Sequence, residues 1–191
     1  MRHLSPHSLG VAALLRAVTA AAALLALTPA HASELRGRVV AIADGDTVTV
    51  LDDGQAQHKV RLAGIDAPER GQPFGDASKK SLSAQAFNQA VTVVWHKRDR
   101  YGRLVGVVRI QPSGTDVNLA QVAAGMAWHY SAYAGEQTAG DRDLYGSAEV
   151  RARETRRGLW RDLAPVPPWE FRRAQREVQR DSSVPSPSTE D

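Results

Sequence analysis

The sequence contains no cysteine, and this absence removes several classes of structure and chemistry. None of the 191 residues can form a disulfide bond, a zinc–thiolate cluster or a cysteine nucleophile. A secreted domain without disulfides must be held together by its own core. A chain of this length can bury enough apolar surface for one compact domain with tails.

The sequence also lacks an apolar run long enough to span a bilayer. The run at residues 17–27 falls well short of the roughly 20 residues that a spanning helix needs. Arg2 and Arg16 precede it, and a small-x-small site follows at residues 30–32. This arrangement predicts a signal peptide over residues 1–32, with a membrane anchor as the alternative. We therefore expect an exported protein, periplasmic or secreted, with no stable membrane association after cleavage.

A strong excess of positive charge is missing as well. The chain has 24 Lys and Arg residues against 21 Asp and Glu residues. The predicted leader holds two of the arginines and no acid, so the mature chain carries a net charge of only +1. The overall charge therefore cannot identify a nucleic-acid partner, and the positions of the charges matter more than their sum.

The residue patterns after the leader predict an α+β domain over residues 33–162. Three strands joined by short turns, a helix, two more strands and further helices suggest a five-stranded Greek-key barrel of the OB type, with three packed α-helices. Alternating apolar residues place the strands near 35–42, 46–51, 57–64, 91–97 and 103–110. Helical periodicity places the helices near 78–90, after Asp116, and near 139–157 with Leu144 on the buried face.

The chain changes character over residues 163–191. Pro165, Pro167 and Pro168 form a stiff connector, and residues 169–180 are compatible with a short, strongly charged helix. The last ten residues hold serine, proline and acids with almost no apolar side chains. That composition predicts a disordered tail.

Four acidic residues are predicted to meet at one mouth of the barrel. Asp44 and Asp46 lie at a turn and at the start of the second strand, whereas Asp66 and Glu69 follow the third strand. Pairing of these two strands through a hairpin would bring the four carboxylates together. Unpaired carboxylates at such distances repel one another, and a hard dication with oxygen ligands would relieve the repulsion. Each acid alone could instead serve an ordinary turn or loop, so the prediction depends on their convergence.

Two arginines belong to the same predicted mouth. Arg61 lies on the polar face of the third strand, and Arg103 begins the fifth. An arginine fork binds phosphate oxygens through two hydrogen bonds and stays charged throughout a reaction. A dication, two arginines and a spare carboxylate suit phosphodiester cleavage. Simple pairing of the arginines with the acids is the alternative.

These segments together resemble the staphylococcal nuclease (thermonuclease) family over roughly residues 35–162. Each motif is weak alone, but several in order, at compatible spacing and with every charged position filled, are specific. The resemblance implies an OB-fold barrel with three helices that cleaves DNA and RNA with calcium and leaves 3′-phosphate products. The motifs are DGDTV at 44–48, VRLAGIDAPE at 60–69, DRYGR at 99–103, GMAW at 125–128 and GLW at 158–160.

The resemblance also implies roles for individual residues. Asp46 and Asp66 match side-chain metal ligands, the backbone carbonyl of Ala67 completes the protein's share of the metal shell, and Asp44 acts in the outer shell through water. Calcium is the implied metal, and magnesium or manganese would accept the same oxygen ligands.

The remaining matches concern catalysis and substrate. Glu69 matches the general base, which acts on a water in line with the phosphorus. Arg61 and Arg103 match the two phosphate-binding arginines. Tyr101 and Tyr133 match tyrosines near the bound nucleotide.

The chain departs from the best-known member of the family in two respects. Ala67 stands where that member has threonine, but only the main-chain carbonyl is needed there, so we expect function to survive. The mature chain is also less basic, which weakens long-range attraction for polyanions.

The composition and the matched acids and arginines bear on three candidate functions. The first is an exported monomeric nuclease with DNA or RNA as substrate, and the second is a non-catalytic OB-fold module that binds single-stranded nucleic acid. The presence of every acid and arginine of the matched set favours the enzyme. The third, an oligosaccharide-binding barrel, is disfavoured because aromatic residues make up only 6% of the chain.

Overall fold

The computed structural model describes residues 33–182, so the predicted leader and the last nine residues of the tail lie outside the described range. Five of its strands close into a barrel in the order β1-β2-β3-β6-β5. Strands β3 and β6 run parallel, and the other barrel pairs are antiparallel. The predicted five-stranded barrel of the α+β class is confirmed. The strands are β1 Ser33–Ile42, β2 Thr47–Asp52, β3 Gln57–Leu62, β4 Ile65–Asp66, β5 Ala90–Arg98, β6 Leu104–Ile110 and β7 Trp128–His129.

Helices follow the barrel strands in the predicted order. The first begins earlier than the sequence suggested, and it ends at Ala86 rather than near residue 90. Phe87 is already extended, and Asn88 adopts a left-handed φ of 61° that turns the chain into β5. The helices are α1 Gly75–Ala86, α2 Val117–Ala123, α3 Ala139–Glu154 and α4 Pro168–Ser182, with 3₁₀ segments at Ser131–Glu136 and Gly158–Arg161.

The buried face of α3 differs from the predicted one. Leu144 is 54% exposed, and Tyr145 takes the buried position beside Ala148 and Ala152. The Tyr145 hydroxyl donates a hydrogen bond of 3.0 Å to Asp116, the residue whose carboxylate caps α2. An aromatic ring that also satisfies a buried carboxylate is more stabilising at this position than an aliphatic side chain.

The barrel interior is filled mainly by valine. β-Branched side chains fit the pleated surface of a sheet and lose little rotamer freedom there, which explains how a barrel poor in aromatic residues holds its shape. The fully buried valines on the barrel strands are Val39, Val48, Val50, Val60, Val91, Val93 and Val108.

A second, smaller cluster packs outside the barrel around Trp128 and Trp160. Gly125 and Gly158 bring two backbone segments into contact beneath it, where Leu159 N–H donates to the Gly125 carbonyl at 2.9 Å. Both glycines have positive φ, and a Cβ on Gly158 would lie 2.1 Å from the Gly125 oxygen. Glycine is therefore required at this contact.

The same cluster fixes a short two-stranded sheet beside the barrel. Strand β4 pairs with β7, so that Asp66 lies opposite Trp128. The end of β4 is thereby held against the aromatic cluster. Within residues 33–182, no helix is both long and apolar enough to cross a membrane.

A buried amide links the helices to the turn between β1 and β2. Gln121 of α2 is fully buried and donates to the Gly45 carbonyl at 2.8 Å and to the Ser78 carbonyl at 3.2 Å. Its oxygen accepts hydrogen bonds from Ser81 and Gln85. This one side chain of α2 satisfies polar groups from two other segments, the turn at Gly45 and helix α1.

We expect Gln121→Ala to lower the free energy of unfolding by about 2–4 kcal/mol, because several buried polar groups would lose their partners. Urea denaturation measures the difference in the free energy of unfolding between the variant and the parent chain. Gln89→Ala, at an exposed position, is the matched control and should stay within about 0.5 kcal/mol of the parent. Equal stability of the two variants would contradict the role given to Gln121.

Candidate active site

One cleft at the barrel mouth brings together all the residues that the sequence singled out. Its volume is about 690 Å³, which lies within the range of ligand-binding clefts. Acidic and basic side chains line it in equal number, six of each. The residues predicted from the sequence that line this cleft are Asp44, Asp46, Arg61, Asp66, Ala67, Glu69, Tyr101, Arg103 and Tyr133.

Asp46, just before β2, and Asp66, at the end of β4, share one arginine. The NH2 nitrogen of Arg61 lies 3.1 Å from Asp46 Oδ2 and 2.9 Å from Asp66 Oδ1. Both acids are almost fully buried, at 6% and 1% exposure. Buried carboxylates require compensation of their charge, and this nitrogen supplies part of it to both acids.

The main chain also holds Asp46 in place. Ala67 N–H donates to Asp46 Oδ2 at 2.8 Å, and the Thr47 hydroxyl donates to Oδ1 at 3.1 Å. Burial raises the pKa of Asp46 to about 7, with Asp44 and Asp66 adding to the rise and Arg61 opposing it. Removal from water is therefore the main factor that disfavours the ionised form of Asp46.

The turn that carries the first two acids is closely packed. Asp46 N–H donates to Asp44 Oδ1 at 3.0 Å. A Cβ on Gly45 would lie 1.9 Å from Ser78 Oγ and 2.7 Å from the Ala67 side chain. Glycine at this position allows the acidic turn to approach α1 and the Ala67 segment.

At this end of the cleft, the atoms that could bind a metal ion are oxygens. Among residues 33–182, no three acidic, histidine or cysteine side chains form a ready cluster for a metal. Asp46 and Asp66 supply carboxylate oxygens and Ala67 a main-chain carbonyl, and such all-oxygen sets suit a hard dication. The arginine nitrogen between the carboxylates shows that a cation is stabilised there, so these residues fit a calcium-like ion completed by water.

Glu69 lies at the rim of the cleft, on the loop that leads into α1. Its backbone is fixed by Gln72, whose side-chain oxygen accepts from Glu69 N–H at 3.0 Å, and whose own N–H donates to the Glu69 carbonyl. The Glu69 side chain is 37% exposed. It can therefore meet both solvent and a bound substrate.

Arg103 is held on the opposite side by the turn between β5 and β6. Asp99 accepts from Arg103 Nε at 2.7 Å and from the backbone N–H of Tyr101 and Arg103. Burial alone would raise the pKa of Asp99, but these hydrogen bonds lower it. The guanidinium lies over the Tyr101 ring, 5.5 Å from its centroid, and its NH1 reaches Thr47 beside Asp46.

Tyr133 belongs to a group of aromatic and charged side chains at the cleft edge. Its ring packs edge-on against Tyr130, with centroids 5.0 Å apart, and Lys97 lies 5.2 Å from its centroid. Lys97 also pairs with Glu136. Both Tyr101 and Tyr133 expose about half or more of their surface, so their rings are available to stack on a planar ligand.

Arg172, on α4, is a cleft residue that the sequence did not single out. Its NH2 lies 2.8 Å from Asp66 Oδ2, and its NH1 contacts Asp66 Oδ1 and Glu69 Oε1. Burial would lower the pKa of Arg172, but the hydrogen bonds to Asp66 and Glu69 raise it above its ordinary value. The sequence pointed to Arg172 only through the regular spacing of arginines in a charged helix that follows the predicted domain.

Comparison with known proteins identifies the relatives of this chain. Residues 59–162 match the family model described as staphylococcal nuclease homologue. A relative named Micrococcal nuclease, from Shigella flexneri, is 45% identical over 171 residues, which cover 86% of this chain and 95% of that protein. Protein ParB of Escherichia coli is 44% identical, covering 84% and 92%. An Uncharacterized endonuclease of Escherichia coli is 40% identical, covering 75% and 89%. The chain belongs to the staphylococcal nuclease family.

Proposed function

We propose that this chain is a metal-dependent endonuclease that hydrolyses phosphodiester bonds of DNA, RNA or both. One observation carries the proposal: a single cleft places the buried pair Asp46 and Asp66 beside Glu69, with Arg61 and Arg103 on two of its sides. The names of the relatives, Micrococcal nuclease and Uncharacterized endonuclease, support the same activity.

Calcium is the proposed metal. Asp46, Asp66 and the carbonyl of Ala67 would hold it, with Asp44 acting through water. When bound, the ion would offset the negative charge that develops on the phosphate. Magnesium or manganese would take the same oxygen ligands with a stricter octahedral geometry.

Glu69 is the proposed general base. It would accept a proton from a water molecule that attacks phosphorus in line with the 5′ oxygen. The bond between phosphorus and that oxygen would break as the bond to the water oxygen forms, and the leaving 5′ oxygen would take a proton from solvent. One fragment would then end in a 3′-phosphate and the other in a 5′-hydroxyl. The exposure of Glu69 at the rim supports access for the attacking water.

Arg61 and Arg103 would donate hydrogen bonds to the phosphate oxygens and stabilise their charge in the transition state. Each is oriented by an acid: Arg61 by the buried aspartates and Arg103 by Asp99. The exposed rings of Tyr101 and Tyr133 would stack on or contact the bases. Stacking on a π-face tolerates any base, which suits an enzyme without sequence specificity.

The proposed site of action is outside the cytoplasm. The residues that support export, 1–32, have the composition of a cleavable leader. The absence of cysteine means that the domain needs no oxidising compartment to fold. We further propose that the mature protein acts as a monomer.

Glu69→Gln should lower kcat for calcium-dependent cleavage of single-stranded DNA by about 10²–10⁴-fold, the range for loss of a general base. Initial rates with calcium and with EDTA measure the effect. Glu154→Gln, at an exposed position on α3, controls for the lost charge and should retain the parental rate. Full activity of Glu69→Gln, or cleavage that survives EDTA, would sink the mechanism.

Arg103→Lys should lower kcat/KM by about 10²-fold, since lysine keeps the charge but cannot form the planar pair of hydrogen bonds to phosphate. Arg36→Lys, at an exposed residue outside the cleft, is the matched control. The proposed role of Arg103 is wrong if the two variants cleave the same oligonucleotide at equal rates.

Expression of the whole chain in a Gram-negative bacterium should yield a periplasmic or secreted protein that begins at Ser33. Intact-mass measurement of the exported fraction identifies this N-terminus. Ala32→Arg should block cleavage by removing the small residue at the site, whereas Ser33→Ala should not. An exported protein that retains residues 1–32 would contradict the signal-peptide assignment.

A further inference from the structure

Helix α4 carries a stripe of arginines on one side. Arg172, Arg176 and Arg180 recur every four residues, so they fall within an arc of about 80° on a helix that turns 100° per residue. Glu170 and Glu177 lie about 140° or more from Arg172 on the same wheel. Positive charge is therefore concentrated on the side of the helix around Arg172 and Arg176, and Glu177 lies about 60° beyond Arg180.

The start of α4 is fixed to the domain. Trp169 stacks on Tyr130, with centroids 5.2 Å apart and planes at 22°, and meets Trp128 edge-on at 6.4 Å. Just before the helix, Gln72 donates to the Val166 carbonyl at 2.6 Å. Pro168 is buried. These contacts determine which side of α4 faces the cleft.

The arginine stripe begins inside the cleft and leads out of it. Arg172 is directed at Asp66 and Glu69, and Arg176 and Arg180 follow one and two turns later, about 6 and 12 Å along the helix. Both are exposed. The positive face is thus continuous with the place where the proposed phosphate chemistry occurs.

The positive face of α4 supplies charge that could attract a polyanion, whereas the rest of the chain offers little net positive charge. The mature chain has almost no net charge, and the acids of the cleft are as numerous as its bases. A polyanion is therefore weakly attracted by the protein as a whole, and affinity must come from local groups of arginine or lysine. The stripe on α4 is such a group, placed beside the site.

We propose that the Arg172–Arg176–Arg180 stripe binds the backbone of the substrate strand flanking the scissile phosphate, which extends the nucleic-acid site along α4. The inference rests on the proposed nuclease function. In a stacked strand, phosphates recur about every 3.4 Å along the axis, so the 12 Å stripe spans about three of them. The outer arginines, Arg176 and Arg180, act on the binding of long strands and not on the chemical step.

The test compares two double variants with the same loss of charge. Arg176→Gln/Arg180→Gln removes the outer part of the stripe and leaves Arg172 in place. Arg36→Gln/Arg151→Gln is the control: Arg36 lies on β1 and Arg151 on α3, and neither lines the cleft. All of the substituted positions are exposed.

Both doubles are made in the mature Glu69→Gln chain with calcium, so that binding is measured without cleavage. Fluorescence anisotropy of labelled oligothymidylates of 3 and 15 nucleotides gives Kd as a function of salt. We expect the stripe variant to bind the 15-mer about tenfold more weakly near 0.15 M salt, with the slope of log K against log salt smaller by about 1.4. The 3-mer, which reaches only the cleft, should bind equally to all chains.

Other outcomes would overturn the inference in distinguishable ways. Equal binding of the 15-mer by the stripe and control variants would show that α4 does not contact the strand, while leaving the nuclease proposal intact. Failure of the Glu69→Gln parent to bind either oligonucleotide would remove the proposed function and the inference together. Phosphatidylglycerol vesicles test whether the stripe binds an anionic lipid surface. If only the stripe variant loses vesicle binding, and its 15-mer binding is unchanged, the face binds a lipid surface instead.

Discussion

The hydrogen bond from Ala67 N–H to Asp46 Oδ2 is the contact on which the arrangement of the cleft depends. It joins the start of β2 to the end of β4, and Arg61 reinforces the junction by bonding Asp46 and Asp66 with one nitrogen. Because Arg61 pairs with both buried carboxylates, movement of either one would break a buried ion pair. The two loops are therefore fixed relative to each other, and the positions of Glu69 and of the turn at Gly45 follow from that.

Much of the barrel and its mouth could be predicted from local patterns. Alternation of apolar and polar residues identified the five strands, and short turns determined that β2 and β3 pair in register. That pairing alone brings Asp46 and Asp66 to one edge of the sheet, since Thr47 lies opposite Arg61. The two residues are 20 positions apart but separated by only one hairpin, which is why spacing was a sufficient guide.

Other features depend on contacts that the local pattern does not encode. Leu144 and Tyr145 are neighbours on α3, and helical periodicity does not decide which is buried. The hydrogen bond from the Tyr145 hydroxyl to Asp116 decides that Tyr145 is the buried residue. Asp116 lies 29 residues earlier in the sequence. Arg172 is a stronger case, because its contact with Asp66 spans 106 residues and requires the connector to fold back onto the aromatic cluster. Composition predicted a short charged helix here but could not give its docking position.

Arg172 contacts Asp66 and Glu69 and is therefore a counterion built into the cleft. The proline connector links this counterion covalently to the rest of the domain. A dication held by Asp66, as proposed, would compete with this guanidinium, whose NH2 donates to Asp66 Oδ2. Its apparent dissociation constant would then be the intrinsic one divided by the fraction of molecules in which the arginine has moved away. Because the tethered group is present at a constant local concentration, diluting the protein would not relieve this competition. The length and stiffness of the proline connector would thus enter directly into the apparent metal affinity.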